Sequence, residues 1–296
     1  MNFNEQATKF LEESQSRKRN PITRSTAVKY QSVLANHIFP VLGTVELSQI
    51  ENGTLKSFVA TLSAKGLSAS AITGIVAVVK LVVASAVDAN GNELYPRTWN
   101  NDFIDLPVIS FQKAPVATPA AIQKALGEAN GSDGALVALL AGTGLRINEA
   151  LALTATDWDR KNATLFITKT LTPEGVQNST KTEAGMREVD LSPDLNTFLA
   201  QHLPSEGLLF RSATGGIVRL MTAYDHIEKL GIPGFHSFRR FRVTRLRKTG
   251  IPEGLIQFWT GHAGKSITDR YDKISLDVAA RKQFAVQAGL GFQLEC

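Results

Sequence analysis

Apolar residues recur at helical spacing through much of the first hundred positions. Between 26 and 39 the apolar positions lie near a helical repeat, and Pro40 is expected to end that helix. The same pattern predicts a helix over 54–65, ending at Gly66. A third helix is predicted to start at the possible capping residues 68–70 and to run to Val87. This region therefore predicts a helical domain.

The pattern changes after about residue 100. Pro107, Pro115 and Pro119 interrupt a mixed stretch, and Thr118 followed by Pro119 is typical of a helix start. We therefore expect a first domain over 1–106, a linker over 107–118 and a second domain over 119–296.

The second domain alternates between helix and strand signals. Helices are predicted over 119–129 and 133–142, from Ala223 onward, and as an amphipathic C-terminal helix over 276–288. The β-branched stretch 165–171 and the alternating stretch 187–191 predict two paired strands, joined by a turn-rich connection over 173–185. The fold class expected from these patterns is mainly α with a small β-sheet in the second domain.

Charge and cysteine content narrow the functional classes. The chain has 32 Lys and Arg against 27 Asp and Glu, a net charge of +5, which is compatible with a polyanionic partner. The single cysteine, Cys296, excludes an internal disulfide framework and a multi-cysteine metal site. The charged first twenty residues and the short apolar runs predict neither a signal peptide nor a membrane span, so we expect a cytoplasmic protein.

Cofactor motifs are not evident. Gly264-Lys265-Ser266 resembles the end of a phosphate-binding loop, but Trp259 stands where that loop requires glycine. The sequence also shows no zinc-type Cys/His spacing and no carboxylate cluster typical of a two-metal site. We therefore expect no metal and no cofactor.

Basic and polar residues instead occur in a distinctive series of short motifs. The series is Thr-Gly-Leu-Arg-Ile-Asn-Glu-Ala-Leu at 143–151, Thr-Lys-Thr at 180–182, His-Ser-Phe-Arg at 236–239, and Gly-His at 261–262 followed nine residues later by Tyr271. His236 and Arg239 are three residues apart, so a helix would place both on one face. Guanidinium groups suit forked hydrogen bonding to phosphate oxygens without a metal, which makes Arg146 and Arg239 candidates for a phosphate clamp.

In these motifs and their order, the chain resembles the tyrosine recombinases, the phage-integrase family of site-specific DNA recombinases. Residues 26–87, including His-Ile-Phe-Pro-Val-Leu-Gly at 37–43, also resemble the helical core-binding domain of that family. The resemblance implies a two-domain C-shaped clamp around double-stranded DNA. It further implies a homotetramer on two DNA sites, a possible accessory DNA-bending or directionality factor, and association with the nucleoid when DNA is bound.

The resemblance also implies roles for individual residues. Tyr271 would be the nucleophile that forms a 3′-phosphotyrosine, and Lys181 would protonate the departing 5′ oxygen. His236 would exchange the tyrosine proton, while His262 would hydrogen-bond the phosphate in the transition state. Because the phosphotyrosine retains the phosphoester bond, religation would need no ATP.

Several assignments keep an alternative. Lys169 could replace Lys181 as the acid, and Glu149 could either support catalysis or form a structural ion pair. The basic run 239–248 predicts contacts to the DNA backbone by Arg240, Arg242, Arg245 and Arg247, although charge runs usually mark a solvated helix face. The C-terminal helix could pack on its own domain or, as the family resemblance suggests, on a neighbouring protomer. As functions, a chromosome-dimer resolvase or transposon recombinase, a type IB topoisomerase and a non-catalytic DNA-binding regulator remain alternatives to an integrase.

Overall fold

A computed structural model describes residues 1–109, 114–129, 131–178, 186–262 and 274–294. The chain divides into two compact units, 1–112 and 113–296. The described residues are largely helical, with short strands confined to the second unit, which confirms the expected mainly α fold with a small sheet. None of the helices in these ranges is long and apolar enough to cross a membrane.

The first unit is a set of helices around an apolar core. Its helices are α1 (Phe3–Ser16), α2 (Arg24–Val33), α3 (Phe39–Leu42), α4 (Asn52–Ala64), α5 (Ala69–Ala84) and α6 (Asn101–Ile104). The core brings together Phe3, Leu34, Phe58 and Val79, with further aliphatic side chains from the same helices. Apolar residues of α1, α4 and α5 are buried on the side of each helix that faces this core.

Two helix ends in the first unit differ from the sequence predictions. The prediction that Pro40 ends its helix is wrong, because a π-helical segment (Leu34–Ile38) leads directly into α3. Pro40 lies in the first turn of α3, where a missing backbone N–H costs least. The helix capped by Ser68 begins as predicted, with the serine hydroxyl accepting from the Ala71 amide at 3.3 Å, but it ends at Ala84 rather than Val87.

The second unit combines helices with short antiparallel strands. Its helices are α7 (Pro119–Glu128), α8 (Ser132–Thr143), α9 (Ile147–Ala150), α10 (Pro193–His202), α11 (Leu220–Lys229), α12 (His236–Lys248), α13 (Glu253–Thr260) and α14 (Val278–Ala288). Its strands are β1 (Trp158–Asp159), β2 (Thr164–Ile167), β3 (Thr170–Thr172), β4 (Gly175–Gln177) and β5 (Arg187–Asp190). The predicted start at Thr118 and Pro119 is confirmed, since the Thr118 hydroxyl accepts from the Ala121 amide at 3.1 Å.

The strands form two sheets rather than one pair. Strands β1, β2 and β5 pair antiparallel, with Leu165 opposite Val189 and Ile167 opposite Arg187. The predicted strand over 165–171 is therefore divided, since β3 pairs with β4 in a separate hairpin. The turn-rich connection predicted over 173–185 also contains the strand β4, and helix α10 was not predicted at all.

The C-terminal helix packs against its own unit. Ala285 and Ala288 of α14 join a small apolar cluster with Leu246, Leu255 and Trp259. The buried Arg281 pairs with Asp190 at the end of β5, with 3.0 Å between Nε and Oδ2. The predicted bounds 276–288 are nearly those observed, and these contacts correspond to the alternative in which the helix packs within its own domain.

Candidate active site

The turn between α8 and α9 positions Arg146. Gly144 has a left-handed φ of 74°, and a Cβ there would lie 3.3 Å from the Cβ of Arg242, so glycine fits both the turn and the close packing. Arg146 follows directly and donates from Nη1 to Oε1 of Glu149 at 2.8 Å and from Nη2 to the Gly261 carbonyl at 3.3 Å. Its side chain is 41% exposed, so the guanidinium is oriented by the protein and still open to a ligand.

Arg239 lies in the first turns of α12 and is buried. Its guanidinium donates to the Gly144 carbonyl at 3.0 Å and to the Thr260 carbonyl. Burial, together with the nearby positive charge of Arg146, lowers the pKa of Arg239 to about 10. Both hydrogen-bond partners are neutral carbonyls, so they fix the geometry without pairing the positive charge.

Two histidines share the surroundings of these arginines. His236 is the first residue of α12, and His262 directly follows the left-handed Gly261 that ends α13. Partial burial and the charges of Arg239 and Arg146 lower the pKa of both imidazoles. Both rings are therefore mainly neutral near pH 7 and able to accept a proton. Nδ1 of His262 lies 3.1 Å from the Thr260 hydroxyl, which orients that ring.

All four groups line one open cleft of about 500 Å³ in the second unit. The lining includes Arg146, His236, Arg239 and His262, together with Arg240 and Arg247 from the same side of α12. This is a strongly cationic surface suited to a phosphate diester. Among the described residues, no group of three His, Cys, Asp or Glu side chains is placed to hold a metal ion.

Comparisons with known proteins support this interpretation. The profile of the phage integrase family matches residues 117–276, more than half of the chain. The chain belongs to the phage integrase family.

It is therefore a tyrosine site-specific recombinase, an enzyme that transfers DNA strands. Solved structures show the same fold. The integrase of transposon Tn1549, bound to transposon right-end DNA, has a TM-score of 0.72 at 18% identity, with 94% of this chain and 97% of that chain covered. A lambda integrase dimer bound to a core site has a TM-score of 0.67 at 16% identity, covering 92% and 95%. A comparison with curated protein sequences finds no significant match.

The buried carboxylate of Glu149 connects two arginines of this recombinase. Its Oε2 accepts from the Arg146 amide at 2.9 Å and from Nη2 of Arg187 at 2.9 Å, while Oε1 accepts from both guanidiniums. Burial alone would raise the pKa of Glu149, but the hydrogen bonds and charge of Arg187, together with Arg146, hold the pKa below its ordinary value. Glu149 thus remains ionised and holds Arg146 in an ion pair, which corresponds to the structural alternative left open by the sequence; its support of catalysis stays a prediction.

Two predicted catalytic residues, Lys181 and Tyr271, lie outside the described residues. The alternative acid, Lys169, is described and lies in a structural pair. Its ammonium contacts Oδ2 of Asp157 at 2.8 Å and the Thr154 hydroxyl at 3.1 Å. Through these contacts Lys169 packs against the 3₁₀ turn Ala155–Asp157.

The four arginines predicted to contact DNA divide between two faces of α12. Arg240 and Arg247 line the cleft, where Arg240 donates to the Pro115 carbonyl at 2.7 Å. Arg242 does not lie on a solvated face, the alternative to its predicted DNA contact, because it is only 3% exposed and donates to the Gly289 carbonyl at 2.6 Å. Arg245 is partly buried and donates to the Ala288 carbonyl at 3.0 Å. These last two side chains hold the end of α14, where cations favour the helix dipole.

In the sequence, Arg187 is evident only as the first residue of the alternating stretch 187–191. The structure places its side chain, 1% exposed, against Glu149 and the Trp259 carbonyl. The available signal was strand alternation, because Arg187 shares its face of β5 with the buried Val189. A charged residue on the buried face of a strand indicates a required partner.

Proposed function

We propose that this integrase cuts and rejoins specific DNA sites through a 3′-phosphotyrosyl intermediate on Tyr271, without metal or ATP. The observation that carries the proposal is the cleft in which Arg146, Arg239, His236 and His262 come together. Two guanidiniums provide hydrogen-bond donors for the nonbridging oxygens of one phosphate, where negative charge develops in the transition state. This arrangement provides the charge stabilisation for phosphoryl transfer through the protein alone.

The chemical steps follow from the protonation states of the residues. The Tyr271 hydroxyl would attack the scissile phosphorus, transferring its proton to neutral His236 as the new P–O bond forms. The bond from phosphorus to the 5′ oxygen would break, and Lys181 would give that oxygen a proton. The lowered pKa of His236 supports its role as the acceptor, since a protonated ring could not take the tyrosine proton. Religation reverses these steps with a 5′-hydroxyl from another strand.

The proposed partner is duplex DNA, bound by a homotetramer on two sites. One neighbouring fold is a lambda integrase tetramer on a Holliday junction, with a TM-score of 0.67 at 14% identity over 94% of this chain and 81% of that chain. For this chain, Arg240 and Arg247 are the backbone contacts that we assign beside the cleft. We assign residues 1–106 to a core-type DNA-binding domain, 107–118 to a linker and 119–296 to the catalytic domain. An accessory DNA-bending or directionality factor, and association with the nucleoid on DNA, complete the proposal.

Covalent trapping tests the chemistry directly. The protein would be incubated, without added metal or ATP, with nicked suicide duplexes tiled from the flanks of its gene and of any element that carries it. A denaturing gel should show a protein–DNA adduct in the wild type and none with Tyr271→Phe. The matched control is Tyr224→Phe, because Tyr224 is an exposed tyrosine that contacts Phe235 and does not line the cleft. An adduct that survives Tyr271→Phe, or disappears equally in the control, would contradict the assignment.

A further inference from the structure

Arg187 is a buried cation connected to the cleft on two sides. It donates from two nitrogens to the two carboxylate oxygens of Glu149, at 3.2 and 2.9 Å, and from Nε to the Trp259 carbonyl at 2.8 Å. Glu149 in turn holds both the amide and the guanidinium of Arg146. One side chain therefore links the strand β5 to Arg146 and to the end of α13.

The turn before His262 is packed against the same guanidinium. A Cβ at Gly261 would lie 2.9 Å from Nη1 of Arg187, and the backbone there is left-handed, with φ of 64°. The Gly261 carbonyl accepts from Arg146. Arg187 thus fills the space that a side chain at 261 would occupy, next to the carbonyl that holds Arg146.

The charges give this connection a chemical consequence. An ionised carboxylate beside Arg146 would by itself cancel a positive charge intended for phosphate. Arg187 compensates for Glu149, so the cationic charges of Arg146 and Arg239 remain available at the cleft. Without Arg187, Glu149 would have only Arg146 as a close cationic partner among the contacts described above, and the charge facing a phosphate would fall.

We propose that Arg187 is a positioning residue for strand transfer: it neutralises Glu149 and holds the turn at 259–261, and so keeps Arg146 available to the scissile phosphate. This inference rests on the proposed function, in which Arg146 and Arg239 bind that phosphate. Arg187 acts through Glu149 and the turn, and does not itself touch the substrate.

A charge-balance series separates this role from simple packing. The variants are Arg187→Met, Glu149→Gln and the double variant, with single-turnover adduct formation measured at saturating DNA. Arg187→Met should slow adduct formation by about 10- to 100-fold, in the range expected when an electrostatic contributor to the transition state is weakened. DNA affinity should change by less than about threefold, because most of it comes from contacts to other phosphates. The double variant should recover most of the lost rate, since it removes the carboxylate together with its compensating cation.

Arg281→Met is the matched control. Arg281 is an equally buried arginine of the same unit, paired with Glu188 and Asp190 and not lining the cleft. It should lower the unfolding midpoint and leave the adduct rate within about threefold, because it changes no charge at the cleft. A control that slows adduct formation as much as Arg187→Met would overturn the charge-balance proposal, as would a double variant no faster than the single one.

If Arg187→Met does not fold, the rate of Glu149→Gln is compared with that of the double variant instead. Similar rates for these two support the proposal, and a double variant slower by about tenfold or more contradicts it.

A second arm needs no DNA cleavage. Inorganic phosphate would be titrated into the free full-length protein while the imidazole signals of His262 and His236 are followed by NMR. Phosphate binding should weaken in Arg187→Met and recover in the double variant; equal affinity in all three proteins would overturn the inference. Absence of a Tyr271-dependent adduct in the wild type would instead overturn the proposed function, and the phosphate titration would still decide the role of Arg187.

Discussion

The two units of this recombinase have different interiors. In the described residues of the first unit no charged side chain is buried, and the core is made of residues such as Phe3, Phe58 and Val79. The second unit also has an apolar core, but it buries Glu149, Arg187, Arg239 and Arg242 within a few residues of the predicted motifs. Burying charge is costly unless each group is paired or hydrogen-bonded. The second unit thus carries a free-energy cost of charge burial that the described part of the first unit does not, and it does so where we propose phosphate chemistry.

The partners of the buried arginines determine how much positive charge each one leaves at the cleft. Arg187 is compensated by a carboxylate, and so contributes order without adding net charge to the cleft. Arg239 is held by the Gly144 and Thr260 carbonyls, which accept from Nη1 and Nη2 and leave its charge in place. The pKa of Arg239 is lowered because burial and the positive charge of Arg146 both disfavour its charged form. A bound phosphate would provide the missing negative partner.

The strongest test of this difference is Arg239→Ala. Removing the buried guanidinium should lower the single-turnover rate of adduct formation by about 10³-fold or more, since a preorganised donor at the transition-state phosphate is lost. The rate would be measured with saturating suicide duplex, to separate chemistry from DNA binding.

Arg239→Lys serves as the control for charge alone. Lysine keeps the positive charge but cannot reproduce the fork that donates to two carbonyls, so the rate should remain well below that of the wild type. Full activity in either variant would contradict the assignment of Arg239 to the phosphate.

In the first unit the largest effects should come from apolar truncation. Phe58 is 1% exposed, and Phe58→Ala should lower the free energy of unfolding by about 3–5 kcal/mol through lost burial and a cavity. Urea unfolding of the full chain, followed by circular dichroism, would measure the loss.

The neighbouring exposed Ser57 provides the comparison. Ser57→Ala should change the free energy of unfolding by no more than about 0.5 kcal/mol. If Phe58→Ala were as mild as Ser57→Ala, the first unit would not depend on its apolar core as the structure indicates.

The contrast also explains what the sequence could predict. Local signals sufficed where one segment determines its own structure, as at the Thr118 cap with Pro119 in the first helical turn. Helix α10 has the same kind of start, with Ser192 followed by Pro193, and could have been predicted. The continuation through Pro40 depends on a π-helical segment, which periodicity does not reveal.

For the site, the motifs predicted which residues meet, but not the supporting contacts. Arg146, His236, Arg239 and His262 were identified from sequence and do line one cleft. The bond from Arg187 to the Trp259 carbonyl joins residues 72 positions apart, so no local pattern encodes it. The burial of Arg242 also depends on where the end of α14 packs, at Gly289, whereas a charge run by itself is typical of a solvated face.

A smaller effect is expected on acidification of the free protein. The pKa values of His236 and His262 are lowered in the folded state by partial burial and by the arginines, below the ordinary value of 6.5. An unfolded chain therefore binds protons more readily than the native one in that range. The contribution of these rings to stability is complete above about pH 6.5 and is lost as the pH falls through the lowered folded values.

Urea unfolding at a series of pH values would measure this dependence. Replacing both histidines by glutamine should flatten the decline below about pH 6.5, by less than about 1 kcal/mol per ring because both are solvent-exposed. A wild-type protein and double variant with the same pH dependence would contradict the lowered pKa values.

The smallest effect should come from Arg247, and it sharpens the division between the two faces of α12. Arg247 lines the cleft but is exposed, and its guanidinium pairs with Glu253 at 2.7 Å, with side chains 61% and 50% exposed. Exposed pairs contribute little, so Arg247→Ala should change the free energy of unfolding by less than about 1 kcal/mol. If Arg247 contacts DNA backbone, the variant should weaken binding about equally for all sequences and reduce its salt dependence by about one phosphate contact.

The comparison is Arg242→Ala, at the buried face, which should destabilise the fold and leave the salt dependence of DNA binding unchanged. The reverse outcome, in which Arg242→Ala changes the salt dependence and Arg247→Ala destabilises the fold, would contradict this division of α12 into a cleft face and a packing face.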